Sequence, residues 1–290
     1  MTSAKHHDTT LRFLFEDADI RGEWVLLGES LKSVNACHPY SSSVRQLLGQ
    51  FAAAVVLISN NLKYSGKVML QARSEGPISL IMLECTSRSE IRGIARGNCD
   101  ATADQTLDLI PDAQLAITLE RDGGQRYQGI VPLDGQSLAR ALDHYFLQSE
   151  QLNTRFWLFS DGNVAAGLML QQLPAQRQIE ADDRQNQWQN AAVIADTVTA
   201  DELYHLLPKA LLHRLYHQQD LRVFEHQPVV FRCACSRERS LNALSALSAK
   251  DVDDMLAEQG SIDMACEMCG TSYKFTLTDL LGLAQNPVLH

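Results

Sequence analysis

Four cysteines near the C-terminus are the residues of this chain whose type and spacing could do chemistry. They form two pairs, Cys233-Ala-Cys235 and Cys266-Glu-Met-Cys269. Thirty residues separate the pairs, so the two can meet in space and present four sulfurs to one ion. Tetrahedral Zn²⁺ takes this ligand set in structural sites. The sequence therefore predicts one Zn²⁺ per chain, held by these thiolates in the reduced protein, with no histidine between His226 and His290 to compete.

The role of such a site has three interpretations. A closed Cys₄ site usually holds a small module together, because metal binding supplies folding free energy, on the order of 10 kcal/mol. A redox switch is the second interpretation, because Cys-x-x-Cys is a familiar redox spacing and oxidation of the thiolates would remove metal and stabilisation in one step. A redox dithiol pair without metal is the third.

No other residues form a recognisable catalytic or cofactor site. The sequence has no P-loop, no GxGxxG and no GxSxG, so we predict no catalytic residues, no organic cofactor and no enzyme activity. Cys37, Cys85 and Cys99 are interpreted as core residues, because free cysteine packs as a small hydrophobe. His213 and His217 have the i, i+4 spacing of metal ligands, but no third ligand accompanies them.

Composition limits the classes of partner. The chain has 290 residues and a net charge of −10, which argues against a broad nucleic-acid surface. The longest apolar run, from Phe51 to Ile58, is far shorter than the ~20 residues of a membrane span. The N-terminal residues lack the apolar segment of a secretory signal. We therefore expect a cytoplasmic protein without a membrane partner, whose thiols are kept reduced.

Alternating and helical patterns predict an α+β fold. Residues 1–174 are expected to form a largely antiparallel sheet domain packed with helices, with hairpins such as the one that turns at Arg121-Asp122-Gly123-Gly124. After the N-cap candidates Ser41-Ser42-Ser43, apolar residues recur at helical spacing from Val44 to Leu62. This helix is apolar nearly all round, so it is predicted to lie buried at the centre of the core.

The second half of the chain is more polar. Residues 171–190 carry seven glutamines and are interpreted as a marginally ordered boundary. Helices without rich apolar stripes are predicted at 191–199, 201–207 and 208–217, so residues 175–230 are expected to form a helical, metastable linker. Residues 231–290 are expected to form a small zinc domain. It would contain a helical spacer at 240–258 and a knuckle in which Gly270 supplies a positive φ.

The cysteine motifs resemble those of a known family. Residues 233–239, Cys-Ala-Cys-Ser-Arg-Glu-Arg, resemble the CxCSRER signature of the 33-kilodalton heat-shock chaperonins, a family of redox-regulated bacterial chaperones. Residues 262–270 look like the second cysteine motif of that family. Similar segments extend over almost the whole chain, at 21–23, 92–96, 126–129, 149–154 and 212–217. Ser240 departs from members that carry another cysteine there, at a position outside the four ligands.

The resemblance implies an ATP-independent holdase that is folded, zinc-bound and largely inactive when reduced. Under oxidative and heat stress, disulfides Cys233–Cys235 and Cys266–Cys269 would form and zinc would leave. The switch domain and the linker would then unfold, and the protein would dimerise and bind unfolding client proteins. The resemblance further implies that clients are handed over to an ATP-dependent foldase.

Two other functions compete with this one. A zinc-ribbon module that binds nucleic acid is the first, but residues 231–290 hold five Lys or Arg against eight Asp or Glu, a net charge of −3. A phosphate-binding surface should be positive. A thiol–disulfide oxidoreductase that uses Cys266 and Cys269 is the second. It is disfavoured because thiolates bound to zinc are not free to turn over.

Overall fold

The computed structural model describes residues 8–61, 65–133, 137–175, 180–244, 248, 252, 254–257 and 260–279. The helices are α1 Glu29–Asn35, α2 Ser42–Ser59, α3 Leu138–Ser149, α4 Ala181–Ala195, α5 Ala200–His205, α6 Pro208–Tyr216 and α7 Arg237–Leu244. The strands are β1 Thr9–Phe15, β2 Ile20–Leu27, β3 Gly66–Arg73, β4 Ile78–Thr86, β5 Glu90–Gly97, β6 Gln114–Arg121, β7 Arg126–Pro132, β8 Thr154–Ser160, β9 Ala165–Gln172, β10 Leu221–Val223, β11 Gln227–Pro228, β12 Val230–Phe231, β13 Ile262–Ala265 and β14 Ser272–Phe275. The chain divides into two compact units, Met1–Arg232 and Cys233–His290.

Two six-stranded sheets build the first unit. In the first sheet the strand order is β10-β1-β2-β9-β8, and β11 also pairs with β1. In the second sheet the order is β12-β5-β4-β3-β6-β7. Every pairing is antiparallel except that of β12 with β5. The predicted α+β class with largely antiparallel strands is confirmed, although the strands form two sheets where the sequence patterns predicted one.

Helix α2 lies against strands of both sheets. Its N-cap is Ser41, whose hydroxyl accepts a hydrogen bond from the Val44 amide, so the predicted start of the helix is confirmed. The helix shares one buried cluster with apolar residues such as Val25 of β2 and Leu70 of β3. By length and composition alone α2 could cross a membrane, but 78% of its apolar window is buried inside the fold. Burial on every side explains why this helix is apolar nearly all round.

The other face of the first sheet carries a second core. Side chains alternate along β1 and β2, so Phe13 and Trp24 point away from the α2 core and join this second cluster. Helices α4, α5 and α6 cover it with Trp188, Tyr216 and several leucines. The Tyr216 hydroxyl donates to the Ala191 carbonyl at 2.9 Å, which ties α6 to α4.

The structure corrects the prediction for the glutamine-rich stretch. Helix α4 begins at Ala181, ten residues before the predicted start, so the described residues 181–190 are helical. Glutamine is a good helix former, and the buried face consists of Trp188, Ala191, Ala192 and Ala195 at helical spacing. A stripe made of one tryptophan and alanines contains little aliphatic surface, which is why the sequence pattern concealed it. Residues 176–179 of the predicted boundary lie outside the described residues.

The second unit is small. Its described core consists of Leu244, Ile262 and Phe275, with partly buried apolar neighbours packed around them. Helix α7 and the β13–β14 hairpin supply these three side chains. Helix α7 starts three residues before the predicted spacer. In the later part of the spacer, residues 252 and 254–257 are helical, as predicted, and residues 245–247, 249–251, 253 and 258 lie outside the described residues. The division of the chain into core, metastable linker and zinc domain stays a prediction.

Candidate metal centre

The tip of the β13–β14 hairpin positions the second cysteine pair. The Cys266 amide donates to the Thr271 carbonyl at 2.9 Å, and the Gly270 amide donates back to the Cys266 carbonyl at 2.7 Å. Gly270 has a φ of +70°, the left-handed conformation predicted for it. Since a side chain at such a φ is disfavoured, glycine permits the tight turn that holds Cys266 and Cys269 on one side of the tip.

The four residues after Cys235 fix the first cysteine pair. The Ser236 hydroxyl accepts a hydrogen bond from the Arg239 amide at 3.2 Å and so caps the start of α7. The Arg239 guanidinium donates to the carbonyl of Ala234 at 2.7 Å, between the two cysteines. These contacts give the Ser-Arg-Glu-Arg motif a structural purpose, which is to hold the Cys-x-Cys segment against the first turn of the helix.

Arg237 joins the first cysteine segment to the hairpin. Its guanidinium lies over the Phe275 ring, 4.6 Å from the centroid, and donates to the Lys274 carbonyl at 2.7 Å. It also pairs with Asp279 at 2.9 Å. Hydrogen bonds from the Thr276 amide and from Arg237 lower the pKa of Asp279 to about 2, so this carboxylate stays charged. Sequence reasoning assigned no role to Arg237, because its partners lie more than 35 residues away in the chain.

All four predicted thiols come together. The shortest contacts join one pair to the other: Cys233 Sγ lies 3.6 Å from Cys266 Sγ, and Cys235 Sγ lies 3.4 Å from Cys269 Sγ. All four sulfurs lie within 4.8 Å of one another. A tetrahedral site with Zn–S bonds of about 2.3 Å has S–S edges of about 3.8 Å. The donor set and its spacing therefore fit a metal ion of this kind.

Two hydroxyl groups contact the sulfur cluster. Tyr273 Oη lies 3.2 Å from Cys235 Sγ, and Thr271 Oγ1 lies 3.2 Å from Cys269 Sγ. Burial raises the pKa of Cys233 to about 12. Burial also raises that of Cys269, but hydrogen bonds from Thr271 and from its neighbouring thiols outweigh this effect and lower the pKa to about 6. Neighbouring thiols thus resist joint deprotonation, and a bound cation would offset the repulsion among four thiolates.

The remaining thiols and histidines lie elsewhere. Cys85 is completely buried in the first core, as predicted, and burial raises its pKa to about 12. Cys37 and Cys99 are partly buried in the same unit. His213 on α6 and His217, the residue after its end, are exposed, with ring centroids 6.1 Å apart. Within the described parts of the chain, the four cysteines are the one group of three or more potential ligands close enough to share a metal ion.

The sequence matches a known family over nearly its whole length. A family model described as Hsp33 protein matches residues 8–276. The chain belongs to the Hsp33 family. The resemblance inferred from the cysteine motifs is therefore confirmed, and the described sulfur cluster belongs to a member of a chaperone family.

Relatives and a solved structure agree with this assignment. The 33 kDa chaperonin of Ectopseudomonas mendocina is 51% identical over 280 residues, 96% of this chain and 95% of the relative. The 33 kDa chaperonin of Pseudomonas fluorescens is 48% identical over 286 residues, 98% and 95% of the two chains. The crystal structure of the Hsp33 homologue from Thermotoga maritima has a TM-score of 0.83 and covers 97% of this chain and 98% of its own. At 23% identity that likeness shows that the Hsp33 fold is shared.

Proposed function

We propose that this protein is a redox-regulated, ATP-independent holdase of the cytoplasm, which binds unfolding proteins under oxidative and heat stress. The observation that carries the proposal is the cluster of four thiols in a unit with a very small described core. Three buried apolar side chains stabilise little on their own, and small modules of this kind depend on metals or disulfides. Membership of a chaperone family supplies the class of activity.

In the reduced state Cys233, Cys235, Cys266 and Cys269 would hold one Zn²⁺. Bound zinc would stabilise the four thiolates and tie the segment before α7 to the β13–β14 hairpin. Tyr273 and Thr271 would donate hydrogen bonds to thiolates of this set, because their hydroxyl groups already lie 3.2 Å from Cys235 and Cys269. Arg237 and Arg239 would keep both cysteine segments in place through their backbone contacts.

Oxidation would convert the two pairs into disulfides Cys233–Cys235 and Cys266–Cys269. Each disulfide forms when its two thiolates lose two electrons, and one hydrogen peroxide accepts these electrons together with two protons from the solvent and yields two water molecules. Disulfide sulfurs are about 2.05 Å apart, and a bonded pair no longer offers two thiolates to a metal. The sulfur ligands of the second unit would thus be lost together with the folding free energy that they supply.

Loss of the second unit would be accompanied by unfolding of residues 175–230. In the described structure these residues bury Trp188 and Tyr216 against the first sheet. Their release would expose apolar side chains on both the helices and the sheet, a surface suited to unfolded clients. The active form would be a homodimer, and it would pass its clients to an ATP-dependent foldase.

The test is the aggregation of a thermolabile enzyme at its unfolding temperature, followed by light scattering. Reduced, zinc-loaded protein should protect poorly, and peroxide-treated protein should suppress aggregation at near-stoichiometric amounts. Oxidation should release one zinc and remove four free thiols per chain, measured with a chromogenic chelator and a thiol reagent.

Two cysteine variants serve as controls. Cys99→Ser removes a thiol from the first unit and should switch like the wild type, whereas Cys233→Ser lacks one ligand and should show neither full zinc binding nor redox control. Equal protection by reduced and oxidised wild type would refute a redox switch. Salt-sensitive binding of RNA by the reduced protein, without protection of the enzyme, would favour the nucleic-acid alternative instead.

A further inference from the structure

Tyr273 places a hydroxyl group against the sulfur of Cys235. The two residues are 38 positions apart in the chain, and Tyr273 Oη lies 3.2 Å from Cys235 Sγ. Tyr273 belongs to β14 and pairs with Met264 of β13 across the hairpin. It precedes Phe275 by two residues, so both side chains lie on the same face of the strand. The hydroxyl of Tyr273 therefore joins the hairpin to the sulfur of the other cysteine pair.

The aromatic ring of Tyr273 is held independently of its hydroxyl group. The side chain is partly buried and packs against the small core formed by Leu244, Ile262 and Phe275. A phenylalanine at this position would keep the same apolar ring and lose only the hydroxyl. The contact with Cys235 can thus be removed while the core of the second unit stays filled.

The other three sulfurs receive hydrogen bonds from the chain next to them. Backbone amides two residues further on, at positions 235 and 268, donate to Cys233 and Cys266. Cys269 accepts from the backbone amide of Thr271 and lies 3.2 Å from the hydroxyl of that residue. These donors come from the local turn of each cysteine segment. The contact of Tyr273 exists only while the hairpin and the first cysteine segment are held together.

The thiolate form fixes the direction of the hydrogen bond to Cys235. A thiolate sulfur carries no hydrogen, so Tyr273 is the donor in the reduced form proposed above. A hydrogen bond to a charged acceptor is stronger than one between neutral groups. It stabilises the negative sulfur and engages a lone pair with which that sulfur would attack an oxidant. This hydrogen bond must therefore weaken before Cys235 reacts.

We propose that Tyr273 sets the rate at which hydrogen peroxide oxidises the Cys233–Cys235 pair, by donating a hydrogen bond to Cys235 that slows the attack of this sulfur. The proposal rests on the redox switch of the proposed function and assigns its sensitivity to a residue outside the four ligands.

The reaction that Tyr273 would slow has two steps. The Cys235 sulfur forms a bond to one peroxide oxygen, the O–O bond breaks, and the leaving hydroxide takes a proton from the solvent. The Cys233 thiolate then attacks the resulting sulfenic acid. The S–S bond forms, the S–O bond breaks, and a second hydroxide leaves and takes a proton.

The test compares Tyr273→Phe with the wild type as full-length, reduced and zinc-loaded proteins. Each is mixed with excess hydrogen peroxide, the remaining thiols are alkylated at set times, and mass spectrometry gives the initial oxidation rate of each cysteine pair. The ratio of the Cys233–Cys235 rate to the Cys266–Cys269 rate should rise about fivefold in Tyr273→Phe, as expected for loss of one hydrogen bond. Thr271→Val removes the hydroxyl beside Cys269 and should lower the same ratio.

The dependence on peroxide concentration separates a lost hydrogen bond from a loosened structure. The slope of the Cys233–Cys235 rate against peroxide concentration reports the attack of the sulfur and should rise in Tyr273→Phe. Zinc transfer to a chelator without peroxide reports opening of the second unit and should keep its wild-type rate. The matched control is Tyr127→Phe, which removes an exposed phenol hydroxyl from β7 and should leave both rates unchanged.

Three results would overturn the proposal. The first is an unchanged ratio in Tyr273→Phe. The second is a lower ratio, which would mean that the hydroxyl promotes oxidation by giving a proton to the leaving hydroxide. The third is a rise that is fully explained by faster zinc transfer without peroxide. Client protection does not enter these rates, so a wild type that oxidises without gaining protection would refute the proposed function and leave the test of Tyr273 intact.

Discussion

At the scale of single residues, Glu23 is the most unusual ionisable group of the first unit. It is completely buried in β2, and burial raises its pKa to about 8. The Thr10 hydroxyl lies 2.8 Å from Oε1, and Asn61 Nδ2 donates to Oε2 at 3.0 Å. The Trp24 carbonyl is a second acceptor for Thr10 at 2.9 Å, so Thr10 can donate there and accept from a protonated Glu23. Thr10 and Asn61 are uncharged, so their hydrogen bonds are compatible with the protonated, neutral form of Glu23.

The pKa of Glu23 predicts a loss of stability as the pH rises from about 4 to about 8. Because it lies above the value of about 4.3 in unfolded chains, the folded state binds the proton more tightly. This stabilisation is fully present below about pH 4 and is lost as the pH rises through about 8. Between about pH 4 and 8 the free energy of unfolding should fall by about 1.4 kcal/mol per pH unit and then level off, and Glu23→Gln, which keeps the shape without the titration, should flatten this slope.

Urea denaturation between about pH 5 and 9 measures the effect through tryptophan fluorescence. All three tryptophans lie in the first unit, so the signal reports that unit alone. Glu75→Gln changes an exposed carboxylate in the β3–β4 turn and serves as the control. Parallel pH profiles for wild type and Glu23→Gln would show that Glu23 does not titrate in this range.

At the scale of elements, the attachment of α4 decides how firmly residues 180–232 are held. Asp196 follows the last residue of α4 and accepts hydrogen bonds from Arg155 at 2.8 Å and from Trp157 Nε1 at 3.0 Å. Both donors belong to β8. Trp188, about two turns earlier in the same helix, is buried among residues of the second core. Near the start of α4, Arg184 pairs with Asp19 at 3.2 Å and donates to the Leu173 carbonyl at 2.9 Å. Polar contacts at both ends and an apolar stripe between them therefore fasten α4 to the first sheet.

Asp196→Ala should loosen α4 by about 1 kcal/mol. The pair with Arg155 is partly exposed and contributes little alone, but Trp157 Nε1 also loses its acceptor. Backbone amides of α4 should exchange about fivefold faster with deuterium, while those of α2 keep their protection. Asp104→Ala, a change to an exposed loop carboxylate, is the matched control. Unchanged exchange in α4 would mean that the contacts of Asp196 are not needed to hold the helix in place.

At the scale of the whole molecule, the two units differ in what stabilises them. The first unit has two sheets and two extensive buried clusters. The second has three buried apolar side chains in its described part, four clustered thiols and the contacts of Arg237. A core of that size does not offset the conformational entropy of its chain. The free energy of unfolding of the second unit should therefore depend more on bound metal than on its apolar core.

Metal removal should unfold the second unit first. Under reducing conditions, a strong chelator should abolish amide protection in residues 262–275 while α2 and its neighbouring strands remain protected. If the second unit supports residues 175–230 as we propose, α4 to α6 should lose protection together with it. Hydrogen exchange read by mass spectrometry resolves these segments, and re-addition of Zn²⁺ provides the control for reversibility. Full protection of α4 to α6 after loss of the second unit would contradict the proposed coupling.

The sequence by itself determined the features that depend on local pattern and ligand chemistry. Cysteine spacing predicted the thiol cluster, since two close pairs can meet wherever the chain between them turns back. Helical spacing after Ser41 predicted α2, and Gly270 predicted the knuckle, because caps and positive φ angles are local properties. Alternation predicted most strands of the sheets.

Only the tertiary structure decided the features that depend on which faces meet. Strands β11 and β12 are too short to be recognised by pattern, and they form by pairing with β1 and β5, more than 130 residues away. Helix α4 is stabilised because Trp188 and alanines find an apolar sheet face. Arg237 reaches Phe275 through folding alone. The sequence separation of two such residues does not indicate their distance in space. These contacts are therefore determined by packing.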